Sequence, residues 1–125
     1  MGKARDYYLN NRVARIEWRL SVADECMLCQ WSEQRCGFRW LETHEIERRS
    51  HAAGRWAHPC NYLLLCNSCH AETIPTMSHA EQLAVKFKND AMNFDLEAWL
   101  RLRDPELNAP GRVTMEEIAR CWFDD

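Results

Sequence analysis

Two Cys-x-x-Cys pairs, Cys26/Cys29 and Cys66/Cys69, constrain this chain more than any other feature. Each pair brings two sulfurs to one point from one tight turn, and two pairs make the four-thiolate set that suits a tetrahedral zinc ion. Redox Cys-x-x-Cys chemistry is expected of a single pair in a βαβ setting, a pattern this sequence lacks. Thirty-six residues separate Cys29 from Cys66. A strand, a long loop and a second strand fill that interval. A zinc ion would then staple the end of an N-terminal helix to the end of the second strand, and its binding would contribute folding free energy directly. Cys36, Cys60 and Cys121 remain over and read as small buried hydrophobes.

The periodicity around these pairs predicts a small α+β domain spanning residues 1–125. Leu9, Val13, Ile16 and Leu20 recur at helical spacing and predict an amphipathic helix over 7–23, with Arg12, Arg15 and Arg19 on its other faces. Residues 24–37 read as a polar connector, 38–46 as a strand, 47–61 as a loop and 62–65 as a short apolar strand. The second cysteine pair comes next as a turn, with a short helix starting near it. A helical tail occupies about 78–123. Capping boxes open at Ser78 and Thr114, and a further helix carries Leu96, Trp99 and Leu100 to a stop near Asp104-Pro105. Trp40, Trp56, Trp99 and Trp122 are expected to complete the core, with Trp18 and Trp31 partly exposed.

Charge is unevenly spread. Residues 1–75 hold ten Lys/Arg against nine Asp/Glu, whereas residues 76–125 hold six against ten. A net charge of -3 is not that of a generic nucleic-acid binder. Arg35, Arg39, Arg48, Arg49 and Arg55 nevertheless cluster between the cysteine pairs, and the acidic tail offers a surface to a protein partner. The charged N-terminal segment has no apolar core of a signal peptide, and no apolar run spans a membrane, so a cytoplasmic location is expected.

The order CMLC, WLETHEI, CNYLLLCNSCH resembles the HNH endonucleases. Asn61, Tyr62, Leu65, Cys66, Cys69 and His70 fall at that family's spacings, and the likeness covers about residues 26–72. It implies a ββα-metal core over about 26–75, with zinc knuckles at Cys26, Cys29, Cys66 and Cys69. It implies His44 and His70 as ligands of a second, catalytic divalent ion (Mg²⁺, Mn²⁺, Ni²⁺ or Zn²⁺), and Asn61 as the residue that pins the loop and orients the base. The helical tail resembles the segment C-terminal to the motif in small phage and bacterial members.

Glu45 stands where the family has its general-base His. Three assignments are open: Glu45 itself as base, His44 as base with Glu45 as ligand, or His51 reaching in from the loop. Arg48, Arg49 and Arg55 are candidate phosphate contacts. The expected function is metal-dependent hydrolysis of DNA phosphodiesters. A zinc-stapled module that grips nucleic acid or protein without cutting is the alternative, and a thiol redox protein is a third reading.

Overall fold

The computed structural model describes residues 2–32, 40–52 and 54–123, with side chains from Arg12 to Trp122. Six α-helices and two strands are present among them. Helix α1 runs Gly2–Ser21, α2 Met27–Trp31, β1 Leu41–Glu45, α3 Arg49–Ala52, β2 Tyr62–Cys66, α4 His79–Asn89, α5 Leu96–Arg103 and α6 Met115–Phe123. A 3₁₀ turn at Pro59–Asn61 leads into β2, and a π-helical turn at Cys69–Thr73 comes after it. Among the described residues, no helix is long and apolar enough to cross a membrane.

Strands β1 and β2 pair antiparallel, with Leu41 opposite Cys66 and Glu45 opposite Tyr62. All five residues of β2 are buried, as befits a short continuous apolar run covered on both faces. Helix α4 is the hub: α2 and α6 both pack on it, and α2 also packs on β2. Its own start is a full capping box, since Ser78 Oγ accepts from the Glu81 N–H and Glu81 Oε1 accepts from the Ser78 N–H. At α6, Thr114 Oγ1 accepts from the Glu117 N–H, but the Glu117 carboxylate binds the Thr114 hydroxyl rather than the backbone. That helix start is half of the predicted box.

A buried polar network joins α1, β2 and α4. The Lys86 ammonium, wholly buried, donates to Pro59 O at 2.7 Å, Tyr62 O at 2.8 Å and Asp90 Oδ2 at 2.6 Å. Trp18 Nε1 donates to the same Asp90 oxygen at 2.8 Å. Burial pushes the Lys86 pKa down, and the Asp90 hydrogen bond opposes the shift. All three ammonium protons are spent on oxygen acceptors, which is what a buried cation requires.

The fold corrects several expectations from the sequence. Helix α1 begins at Gly2 and ends at Ser21, rather than spanning 7–23. Its apolar stripe does not face the core: Val13 and Ile16 are 51% exposed and Leu20 80%. Among its described side chains, Trp18 is the one it buries, at 3% exposure, and its indole N–H finds Asp90. Trp40 is 67% exposed, and Trp122 lies at the surface against Phe87. The connector 24–37 contains α2, capped by Cys26, and the loop 47–61 contains α3 and a 3₁₀ turn. Strand β1 begins at Leu41; Phe38 and Arg39, with Arg35 and Cys36, lie outside the described residues. Cys60 is buried as expected, and burial raises its thiol pKa to about 12.

Candidate metal centres and active site

The four knuckle cysteines converge. One sulfur from each of Cys26, Cys29, Cys66 and Cys69 lies within 4.8 Å of all the others, and Cys29 Sγ stands 3.6 Å from Cys69 Sγ. Zinc–sulfur bonds of about 2.3 Å in a tetrahedron set the sulfurs roughly 3.8 Å apart. The donor set therefore fits a metal ion such as zinc. Local structure explains the convergence. Cys26 is extended and caps α2, taking the Cys29 N–H on its sulfur at 3.5 Å, while Cys66 ends β2 and Cys69 opens the π turn.

The electrostatics agree. Burial alone would push the Cys26 thiol up, but hydrogen bonds from the Cys66 and Cys29 backbones carry it net below its usual value. Cys69 is pushed up to about 12, by burial first and then by the Cys66 thiol, and burial raises Cys29 as well. Four crowded sulfurs in a partly dry site share negative charge only if a cation joins them.

His44 and His70 also meet. His44 Nδ1 and His70 Nε2 are 3.2 Å apart, with ring centroids at 5.0 Å. β1 and the π turn supply one ring each, and the neighbours fix both tautomers. Gln82 Nε2 donates to Met77 O at 3.2 Å, which turns its Oε1 toward His44 Nε2 at 2.9 Å. An amide oxygen only accepts, so His44 carries its proton on Nε2. His70 Nδ1 lies 3.2 Å from Glu42 Oε1, so its proton sits on Nδ1. With both rings neutral, the two bare nitrogens then face each other. Burial, opposed by the Gln82 contact, lowers the His44 pKa and favours the neutral imidazole a metal needs.

Asn61 is wholly buried and fully bonded. Its Oδ1 accepts from the Glu47 N–H at 2.6 Å and from Trp99 Nε1 at 3.1 Å. Its amide donates to Glu47 O and Trp56 O, each at 3.1 Å. It brackets Glu47, the residue just beyond β1, from both its N–H and its C=O.

The remaining candidates divide. Glu45 does not join the imidazoles. Side chains alternate along β1, and its carboxylate takes a fork of hydrogen bonds from Arg49 Nε and Nη2 at 2.7–2.9 Å. Arg49 in turn lies over the Trp56 ring at 3.7 Å. His51 is half-exposed, with Nδ1 at 3.4 Å from the buried Glu47 Oε1. That oxygen has no hydrogen bond, because the imidazole is near but misaligned. Arg48 is exposed, whereas Arg55 Nε is tied to Leu102 O at 3.0 Å. His58 caps the 3₁₀ turn by accepting from the Cys60 N–H.

Sequence reasoning missed Glu42, Glu47, His79 and Gln82. Glu42 carries a readable signal, two residues before His44 and so on the same strand face. Gln82 and His79 share one face of α4 at i, i+3, but only the tertiary fold sets that face beside β1. His79 packs edge-on to Trp99 at 5.0 Å, and burial lowers its pKa. No family model matches this chain, and neither does any curated protein or solved structure.

Proposed function

We propose that this chain is a metal-dependent endonuclease of HNH type that hydrolyses DNA phosphodiesters. The reading is carried by one observation: two imidazole nitrogens with converging lone pairs, 3.2 Å apart, beside a four-cysteine cluster. Two nitrogens bound to one ion at about 2.1 Å each stand roughly 3–3.4 Å apart. Without a cation the facing lone pairs repel. The pair fits a divalent ion, while the four sulfurs fit structural zinc.

Two protein ligands leave most of an ion's coordination positions to water and substrate, the mark of a catalytic site. A divalent ion held there supplies Lewis-acid and charge stabilisation to a phosphodiester. The chain's own groups do the rest. Gln82 and Glu42 hold the His44 and His70 rings in the required tautomers, as outer partners of ligating imidazoles commonly do. Of the candidate bases, the contacts favour His51. Its Nδ1 is turned to the buried Glu47 carboxylate, which leaves Nε2 for a water proton. Glu45 is committed to Arg49 on the other side of the hairpin, and this argues against it both as base and as ligand.

The commitment of Glu45 also favours a second reading, a scaffold that binds nucleic acid without cutting it. Supercoiled plasmid incubated with Mg²⁺ or Mn²⁺ separates the two. Nicking that disappears in His70→Ala, with zinc content unchanged, supports the enzyme. Retardation of DNA without nicking under every metal supports the scaffold.

A further inference from the structure

Helix α1 lies outside the part of the chain that resembles a nuclease, yet it builds a basic groove against β1. Arg12, Arg15 and Arg19 stand at i, i+3 and i+7, so they share one face with Ile16 between them. Two adjoining hollows run along this face. One, about 350 Å³, is walled by these three arginines with Ile16, Leu20 and Thr43. The other, about 150 Å³, is walled by Arg12, Arg15, Arg49 and Trp56. Arg12 and Arg15 border both.

Half of the arginine charge in this groove is uncompensated. Arg19 pairs with Asp24, and Arg49 with Glu45. Arg12 and Arg15 make no side-chain ion pair or hydrogen bond among the described residues. No carboxylate lines either hollow. Ile16 and Leu20 give the groove an apolar wall that the core does not use. Thr43, on its floor, is the neighbour of His44, and strand alternation sets the two on opposite faces of β1. The groove therefore lies on the face of β1 that Thr43 shares with Glu45, across the hairpin from the histidine pair.

We propose that the α1–β1 groove is a binding track for the sugar–phosphate backbone of duplex DNA, with Arg12 and Arg15 as its phosphate contacts. The choice of DNA as the polyanion rests on the nuclease reading; the binding itself does not require cutting. An acidic protein partner is the rival occupant. It would use the apolar wall as much as the arginines, whereas a phosphate backbone draws chiefly on the charge.

The test is DNA affinity by fluorescence anisotropy with a random-sequence duplex, without added divalent cation, across a salt series. Arg12→Gln/Arg15→Gln should flatten the slope of log K against log salt by about 1.8 and weaken binding roughly 60-fold near 0.1 M salt. Arg101→Gln/Arg120→Gln changes net charge equally at exposed tail positions and should leave the slope alone. Ile16→Ser/Leu20→Ser should weaken binding much less than the arginine pair. An unchanged slope in the groove variant, or an equal loss in the tail variant, overturns the proposal. So does a larger loss from the apolar pair than from the arginines. Thermal melts establish that each variant is folded. A groove that binds DNA in a protein that never nicks it sinks the nuclease reading and leaves the track standing; nicking with an unchanged slope does the reverse.

Discussion

At the residue scale, chemistry depends on which atom of each side chain is left over once its neighbours are bonded. His44 and His70 are useful because Gln82 and Glu42 take one ring nitrogen from each. Gln82→Leu removes the acceptor on His44 Nε2 and frees the other tautomer. Its expected cost is about 10–100-fold in metal affinity or nicking rate, read by a metal titration of wild type and variant. The base is separable in the same way. His51→Ala is expected to lower the nicking rate by roughly 10²–10⁴-fold, and Glu45→Gln only a few-fold. A reversed order in single-turnover nicking would make Glu45 the base. Asn61 is the structural counterpart. Asn61→Ala strands the Glu47 N–H and the Trp99 indole N–H in the interior, at about 1–3 kcal/mol for each buried group left unsatisfied.

At the element scale, α4 decides how much of the fold is legible in the sequence. The cysteine knuckles, β2 and the helix start at Ser78 are legible because each has a local signature: ligand spacing, an apolar run, a side chain that bonds its own helix. Helix α1 departs from its pattern for a physical reason. Its leucine, valine and isoleucine repeat suggests a core face, but the buried position is Trp18, which a distant network secures. That network is Lys86 in α4 and Asp90 one turn on, just past the helix end, and no periodicity rule places a lysine in the core. Lys86→Met leaves Asp90 buried with an indole but no cation. It is expected to destabilise the fold by about 3–5 kcal/mol, measured by urea unfolding. Leu20→Ser, at an exposed position, should fall within about 0.5 kcal/mol of wild type. A large loss there would mean that α1 packs its stripe after all.

At the scale of the whole molecule, the four cysteines tie α2 to the end of β2, on which it also packs. Cys26 caps α2 and Cys29 lies within it, and Cys66 and Cys69 flank the step from β2 to the π turn that carries His70. A zinc ion there would hold the imidazole of His70 against that of His44 without touching either. The four-cysteine cluster is legible from spacing, and the meeting of the two imidazoles is what the family resemblance implies. The second layer is not legible, Glu42 on β1 apart, since Gln82 and Glu47 take their places only when α4 and the loop 46–61 close over the hairpin. Cys69→Ser is therefore expected to lower thermal stability and abolish metal-dependent nicking together, whereas His70→Ala should abolish nicking with the melting temperature nearly unchanged.

The most direct measurement is metal content per chain, taken by mass spectrometry after equilibration with Zn²⁺ and then with excess Mn²⁺. One zinc should survive mild chelation in wild type and in His70→Ala, and one exchangeable manganese should be present in wild type and lost in His70→Ala. A single metal per chain, or a second metal that His70→Ala leaves in place, would contradict the two-site reading.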